Sequence, residues 1–168
     1  MTDFDAAIVG AGAVGLACAF ALARRGASVV VLEREPRIGS GISARNSEVI
    51  HAGLHYPTGS LKARLSVAGR RALYDFLASH NVAFERCGKL IVATEDGEIP
   101  ALDRLQRQAE INGVENVRRI SGEEARELEP QLKAVAALHT PESGVFDAHG
   151  YMLALQGENR STRRLPWP

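Results

Sequence analysis

The stretch Asp5–Glu33, DAAIVGAGAVGLACAFALARRGASVVVLE, decides the fold. Its hydrophobic pattern predicts a strand, a helix and a second strand, at Ala6–Val9, Val14–Arg25 and Ser28–Leu32. Gly10, Gly12 and Gly15 separate the first strand from the helix in the G-x-G-x-x-G spacing of dinucleotide-binding turns. Since strand, glycines, helix, strand and an acid follow one another in this order, the stretch predicts a βαβ unit of the Rossmann type.

Each conspicuous residue of this unit has a physical task. Gly10 allows a tight turn, Gly12 lets the main chain approach a pyrophosphate, and Gly15 lets the helix pack close to the strand. The helix N-terminus presents N–H groups and a partial positive charge to phosphates. Glu33 ends the second strand and can accept hydrogen bonds from a ribose diol.

Composition excludes several classes of protein. Lysine plus arginine and aspartate plus glutamate number 20 each, so no overall charge favours nucleic acid. Glycine or charge interrupts every apolar run before it reaches the length of a bilayer span, and no basic segment followed by an apolar core opens the chain. We therefore expect a protein without an integral membrane segment, located in the cytoplasm or peripheral to the membrane.

Metal and hydrolase chemistry find no support in the sequence. Cys18 and Cys87 form neither a CxxC pair nor a metal-ligand spacing, and we interpret both as reduced thiols. His80, His139 and His149 likewise lack the spacing of a metal site. The strings G-x-S-x-G, HExxH and Walker A are absent from the sequence.

After Glu33 the pattern departs from a regular parallel sheet. Residues 34–60 are rich in glycine and proline without helical periodicity, which is typical of a functional loop. The pattern then predicts a helix from Ser60 to about Ser79, two β segments within Val82–Thr94 that break near Gly88, and four later elements. These are a helix at Asp96–Gly113, a short helix opened by a capping box at Ser121 and Glu124, a strand at Val135–His139, and, after a turn at Pro141–Gly144, a helix from Phe146 or Asp147 to about Gly157. Because strands and helices no longer alternate, we expect an α/β fold whose second layer is a mixed or antiparallel sheet.

Four segments carry a resemblance to a known family: GAGAVG with Glu33, RNSEVIHAGLHYPTGSLKARL at Arg45–Leu65, CGKLIVAT at Cys87–Thr94, and SGVFD at Ser143–Asp147. Together they resemble the L-2-hydroxyglutarate oxidases and dehydrogenases, within the D-amino-acid-oxidase-like superfamily. The N-S-x-x-I-H-A-G-x-x-Y element is the most specific of these segments.

The resemblance implies an FAD-dependent oxidoreductase that oxidises a 2-hydroxy acid, L-2-hydroxyglutarate, to 2-oxoglutarate by hydride transfer to the flavin N5. The electrons would pass to oxygen, a quinone or another acceptor. An amino-acid oxidase or a glycerol-3-phosphate dehydrogenase-like enzyme would share the fold, since fold does not determine the substrate. A non-catalytic dinucleotide-binding fragment is the alternative from another class.

The resemblance also assigns roles to individual residues. Gly10, Gly12 and Gly15 would hold the pyrophosphate of FAD, and Glu33, with Arg34 beside it, would contact the adenosine half. The flavin side of the cofactor would be lined by four residues of the following loop: Ser43, Arg45, Asn46 and Ser47.

Two residues are candidates for catalysis and two for substrate binding. His51 would lie near the isoalloxazine ring and take the hydroxyl proton, because an imidazole titrates near neutral pH; a structural histidine is the alternative. Arg45 could bind a substrate carboxylate, a nearby acid or a flavin phosphate. Many relatives have histidine in place of Arg45 and an aromatic residue in place of His55. Tyr56 could donate to a substrate carboxylate or pack at the start of the helix.

The family's chains are more than twice as long, so we expect this chain to be the N-terminal part of such an enzyme. The predicted domains are the first part of an FAD-binding domain (1–80), a partial substrate domain (81–145), a helix that returns to the FAD domain (146–158), and an irregular basic tail (159–168).

Overall fold

A computed structural model describes residues 3–158 of the chain. Within these residues the chain forms two compact units. The first unit contains residues 3–48, 77–83 and 147–158, and the second contains Val49–Phe76 and Phe84–Phe146. The predicted tail at 159–168 lies outside the described residues.

The first unit contains the predicted βαβ element. Strands β1 (Ala6–Val9) and β2 (Val29–Leu32) pair in parallel, with Ala6 opposite Val29, and helix α1 (Ala13–Ala23) connects them. The small side chains of α1 let it lie close to its neighbours, and Leu16 and Ala19 are fully buried. Helix α5 (Ala148–Glu158) packs against α1 from the far end of the chain.

Glu48, at the end of the loop in the first unit, has a strained backbone. Glu48 has a φ of 56°, in the left-handed region that non-glycine residues rarely adopt. Its carboxylate accepts a hydrogen bond from the main-chain N–H of Ala148, at 3.1 Å, where α5 begins. A carboxylate at this position satisfies an N–H group that has no acceptor inside the helix. Glu48 therefore ties the end of the loop at 34–48 to the start of α5.

The second unit contains two three-stranded antiparallel sheets. One has the order β3 (Val49–Ile50), β8 (Gly144–Phe146), β4 (Phe84–Glu85), and the other has the order β5 (Leu90–Ala93), β7 (Ala136–His139), β6 (Arg118–Ser121). Three helices accompany these strands: α2 (Leu61–Ser79, of which residues up to Phe76 belong to this unit), α3 (Ile99–Ile111) and α4 (Gly122–Leu128).

Apolar side chains on both sides of the β5–β7–β6 sheet form the core of this unit. Leu138 in the central strand is fully buried and packs with Leu102 of α3 and Ala93 of β5. On the other side Ile120 packs with Ala125 of α4. The continuous buried run Ala136–Leu138 in the central strand β7 is the pattern expected of a strand covered on both faces.

An ion cluster supports the helix α2 from its buried side. The Arg70 side chain is only 2% exposed and donates to Glu115, which also accepts from Arg71. Arg70 Nη1 lies 3.8 Å from a carboxylate oxygen of Glu142. Tyr74 donates its hydroxyl to the main-chain oxygen of Glu142 at 3.2 Å. The cluster thus attaches the turn before β8 to α2.

Most of the predicted elements are confirmed. Each predicted helix and strand is present within a few residues of its predicted bounds, and Ser121 and Glu124 form the predicted capping box at the start of α4. The fold class, α/β with a parallel pair and antiparallel sheets, is confirmed as well.

Three short strands were not predicted: β3, β6 and β8. The prediction was wrong at Gly144–Phe146, where a turn running into a helix was expected. This segment is the central strand between β3 and β4, with Val145 opposite both Val49 and Glu85. The two compact units also divide the chain differently from the predicted domains, because Val49–Phe76 groups with the second unit.

Candidate functional site

The glycine turn at the end of β1 has the geometry that its sequence predicts. Gly10 has a φ of 98°, which glycine adopts without steric cost. A Cβ atom on Gly15 would lie 2.0 Å from the main-chain oxygen of Gly10, so only glycine allows α1 to pack this closely on the turn. Helix α1 begins after Gly12, which has no side chain with which to cap it. Its first intrahelical bond runs from Leu16 N to Gly12 O. The N–H groups before Leu16 therefore have no acceptor within the helix.

Glu33 lies beside this turn. One of its carboxylate oxygens accepts a hydrogen bond from Ala11 N at 2.6 Å, and the other accepts from Glu35 N at 2.9 Å. These main-chain donors, first Glu35 and then Ala11, hold the pKa of Glu33 below its ordinary value of 4.5. An ionised carboxylate accepts about four hydrogen bonds, so Glu33 retains acceptor positions for a diol.

The loop at 34–48 returns to the start of α1. The hydroxyl of Ser43 accepts a hydrogen bond from Ala13 N at 3.0 Å, and Ser43 follows Ile42 in a short 3₁₀ turn. The Asn46 side chain donates to Ser43 O at 2.8 Å and accepts from Glu48 N at 2.7 Å. Both ends of the Asn46 amide therefore stabilise the loop itself.

The remaining loop residues are exposed. Arg34 makes an exposed ion pair with its neighbour Glu35 at 3.1 Å. Arg45 and Ser47 are exposed at and beyond the end of the 3₁₀ turn. The first unit thus contains all nine predicted cofactor residues, and it brings Ser43 and Glu33 to the glycine turn. Their contacts with the cofactor stay predictions.

The second unit contains a pocket formed by the IHAGLHY segment. Its walls are His51, residues 52–54, His55 and Tyr56, together with Lys89 and Ser143. The structure therefore brings together three predicted site residues: His51, His55 and Tyr56. Lys62 of α2 lies over the Tyr56 ring, 4.4 Å from its centroid, in a cation–π contact.

Lys89 is a residue of the pocket that the sequence prediction omitted. Its ammonium nitrogen lies 3.3 Å from His55 Nε2. Burial, followed by the charges of Lys89 and His51, lowers the pKa of His55 below its ordinary value of 6.5. Neutral His55 can then accept a hydrogen bond from Lys89. The two residues are 34 positions apart, so only the tertiary fold reveals the pair.

Helix α3 holds the main chain of the pocket segment. Gln108 donates to Leu54 O at 3.1 Å and to Tyr56 O at 2.7 Å, and Asn112 donates to Gly53 O and Tyr56 O. Gly53 has a φ of 101°, and a Cβ on it would lie 3.1 Å from Val67 Cγ2. The segment is therefore fixed on both sides. A pair of amides one turn apart on a predicted helix was the only sequence signal for this role.

The described residues show neither a metal-binding cluster nor a membrane-spanning helix. Residues 3–158 contain no group of three or more histidine, cysteine, aspartate or glutamate side chains that could hold a metal ion. No helix in the same part of the chain is long and apolar enough to cross a membrane.

The first unit has the features of a dinucleotide-binding α/β protein. Its helix begins at a glycine without a side-chain cap, Gly15 keeps the helix against the turn, and the acid at the end of β2 is oriented by main-chain donors. These residues fit the adenosine diphosphate half of a dinucleotide, because phosphates bind at a helix N-terminus and a ribose diol binds a carboxylate.

Comparison with known families narrows this class. A family model described as FAD dependent oxidoreductase (DAO) matches residues 5–161, and the chain belongs to this family. The predicted enzyme class and the predicted cofactor are confirmed at the level of the family.

Curated relatives support the predicted resemblance. The chain is 46% identical over 151 residues to the mitochondrial L-2-hydroxyglutarate dehydrogenase of Arabidopsis thaliana. The aligned residues cover 90% of this chain and 31% of that protein. It is 40% identical over 148 residues to the human mitochondrial L-2-hydroxyglutarate dehydrogenase, with 87% of this chain and 32% of the relative covered. The chain thus spans about a third of the length of these relatives.

Solved structures share the fold. The L-α-glycerophosphate oxidase of Mycoplasma pneumoniae, determined with FAD bound, matches with a TM-score of 0.82 and 27% identity, covering 95% of this chain and 44% of that one. The L-proline dehydrogenase of P. horikoshii matches with a TM-score of 0.82 and 25% identity, covering 93% of this chain and 41% of that one. The names of the curated relatives place them in mitochondria, so the cytoplasmic location stays a prediction.

Proposed function

We propose that the chain supplies the adenosine-binding unit and one wall of the substrate site of an FAD-dependent oxidoreductase that oxidises L-2-hydroxyglutarate to 2-oxoglutarate. The observation that carries this proposal is a pocket lined by His51, His55 and Lys89 in a member of an FAD-dependent family. Basic side chains favour an organic acid as ligand. The names of the curated relatives supply the particular acid.

The chemistry divides between the cofactor and the chain. FAD, when bound, supplies the acceptor for the hydride that leaves C2 of the hydroxy acid. His51 is exposed in the pocket and takes the proton of the hydroxyl group, so that the alcohol becomes a ketone. Tyr56 donates to a carboxylate oxygen of the acid, and Arg45, in the first unit, binds a carboxylate or a flavin phosphate. In the first unit, Gly10, Gly12, Gly15 and Glu33 would hold the adenosine diphosphate, and Ser43, Arg45, Asn46 and Ser47 would line the flavin side of the cofactor.

The visible absorption spectrum of the purified chain, titrated with FAD, tests the cofactor. A flavin spectrum that stays with the chain through gel filtration is expected. Addition of L-2-hydroxyglutarate without oxygen should then bleach the flavin, whereas L-proline and glycerol 3-phosphate should not. Bleaching by either of the latter would assign a different donor, and a chain that retains no flavin would contradict the proposal for this chain.

A further inference from the structure

Lys89 stands on a rigid part of the second unit. Its main-chain N–H donates to Thr140 O at 3.2 Å and its oxygen accepts from Thr140 N at 2.9 Å, which extends the β5–β7 pairing by one residue. Thr140 is fully buried, and its hydroxyl lies 2.8 Å from that of the buried Ser143, another residue of the pocket. The base of the Lys89 side chain is therefore held in place beside the pocket.

His55 is held equally well on the opposite side. It lies between Leu54 and Tyr56, whose main-chain oxygens both accept hydrogen bonds from Gln108. The approach of Lys89 Nζ to His55 Nε2 thus joins two fixed segments. Preorganised groups lose little conformational entropy when a ligand binds.

The pair carries a positive charge that the described residues do not neutralise. Among residues 3–158, the carboxylates that form ion pairs do so with arginines or with His80, and none pairs with Lys89. His55, as a neutral imidazole, accepts one of the three ammonium hydrogens of Lys89. Two hydrogens and the full charge remain available to an anion.

We infer that Lys89, with His55 beside it, binds a carboxylate and selects a dicarboxylic 2-hydroxy acid over a monocarboxylic one. The inference rests on the proposed function, because it assigns one carboxylate of that substrate to this pair. A lysine ammonium acts as a point charge and forms charge-assisted hydrogen bonds with a carboxylate. A monocarboxylic acid has no second carboxylate to place against the Lys89 ammonium.

Proton uptake should accompany this binding. Burial, followed by the charges of Lys89 and His51, disfavours protonation of His55, and Lys62 lies over the ring of the adjacent Tyr56. A bound carboxylate offsets these positive charges and so favours protonated His55. The affinity for a dicarboxylate should consequently rise as the pH falls from 8 towards 6, and replacement of His55 by glutamine should remove this dependence.

The experiment measures calorimetric binding of glutarate and of butyrate to the flavin-loaded chain. Neither acid carries a hydroxyl group to be oxidised, so binding is separated from turnover. Lys89→Gln should bind glutarate about ten- to a hundredfold more weakly than the unchanged chain, while its affinity for butyrate is retained. Lys89→Arg should restore most of the affinity for glutarate. Lys133→Gln removes an exposed lysine of the same unit and should have no effect.

Two results would overturn the inference: equal affinity of the unchanged chain for glutarate and butyrate, or equal glutarate affinity in the unchanged chain and Lys89→Gln. Thermal unfolding midpoints of Lys89→Gln and Lys133→Gln show whether the fold is intact. Anaerobic bleaching by L-2-hydroxyglutarate is recorded separately. Bleaching without Lys89-dependent glutarate binding contradicts only the carboxylate site, and Lys89-dependent glutarate binding without bleaching contradicts only the proposed reaction.

Discussion

The side-chain amide of Gln108 donates a 2.7 Å hydrogen bond to the main-chain oxygen of Tyr56. Asn112, the residue that caps the C-terminal end of α3, donates to the same oxygen at 2.9 Å. The segment that carries His51, His55 and Tyr56 has little secondary structure of its own beyond β3, so these amides replace the pairing that a longer strand would provide. The geometry of the pocket therefore depends on α3.

Gln108→Leu should test this dependence. The substitution removes the donor to Leu54 O and one donor to Tyr56 O, and we expect the free energy of unfolding to fall by about 1–3 kcal/mol. Urea unfolding measures the loss, and glutarate binding should weaken with it. Gln106→Leu is the matched control, because Gln106 bonds only to the exposed Glu110 of its own helix and should change stability by less than about 0.5 kcal/mol. Equal losses in the two variants would contradict the role of Gln108.

Gly15→Ala should prevent FAD binding. The new Cβ would meet the main-chain oxygen of Gly10 at 2.0 Å, so helix and turn must separate. We expect a loss of about 3 kcal/mol or more in unfolding free energy and no flavin retained on gel filtration. Gly69→Ala is the control, because apart from its own stretch of α2 nothing lies within 4 Å of the added methyl group, and alanine should stabilise that helix by about 0.5–1 kcal/mol. Retention of FAD by Gly15→Ala would refute the predicted close packing.

Arg70→Met should destabilise the second unit strongly. The buried guanidinium of Arg70 is paired with Glu115, and its removal leaves that carboxylate with fewer partners. Because Glu115 is 37% exposed and keeps Arg71, the expected loss is that of a charge-assisted hydrogen bond, about 1–3 kcal/mol, measurable by urea unfolding. Arg71→Met removes a 57% exposed partner of the same Glu115 and should cost less than about 1 kcal/mol. If the two substitutions were equally costly, burial would not be the cause.

Glu33 should make FAD binding dependent on pH. Its pKa in the folded chain lies below 4.5, because the main-chain N–H groups of Glu35 and Ala11 favour the ionised form. The stabilisation by the ionised form is therefore complete above pH 4.5 and is lost as the pH falls through the lowered pKa. Fluorescence titration with FAD should show constant affinity between pH 7 and pH 5 and weaker binding below the lowered pKa.

The substitution Glu33→Gln removes this titration. At pH 7 it should weaken FAD binding about tenfold to a hundredfold. The amide has one acceptor oxygen and no charge, so it cannot accept all the hydrogen bonds that the carboxylate accepts from the main chain and the ribose. The FAD affinity of Glu33→Gln should not change further at low pH. The FAD affinity of the unchanged chain should fall towards that of the variant as Glu33 is protonated. Glu35→Gln serves as the control, since the Glu35 side chain pairs only with the exposed Arg34. A strong effect of Glu35→Gln, or none of Glu33→Gln, would contradict the assignment.

The sequence allowed most of the fold to be predicted, and the reasons are local. The βαβ unit has apolar runs separated by the glycine spacing, and the Ser121–Glu124 box lies within four residues, so both were found. Strands β3 and β8 have only two or three residues, too few to show a period of two. Strands β3 and β8 form only because they pair with each other across the sequence. Gly144, at the start of β8, also favoured a turn in the sequence prediction.

The candidate site could be predicted only in part for the same reason. His51, His55 and Tyr56 share one short motif, and the structure places them in one pocket. Lys89 and Gln108 come from other elements, and a lone lysine or glutamine has the appearance of a solvated residue in the sequence. Their contacts with His55 and Tyr56 arise only once α3 and β5 have packed.

The division of the first unit among residues 3–48, 77–83 and 147–158 has a consequence for biosynthesis. Strand β1, helix α1 and strand β2 are translated before α5, which packs on α1 and places Met152 against Gly39. At about 5–20 residues per second, the nascent βαβ unit waits several seconds for this helix. During that interval the apolar side of α1 is available to a chaperone, and Glu48 has no helix to cap. Translation of the first unit thus starts before that of the second unit and is completed after it.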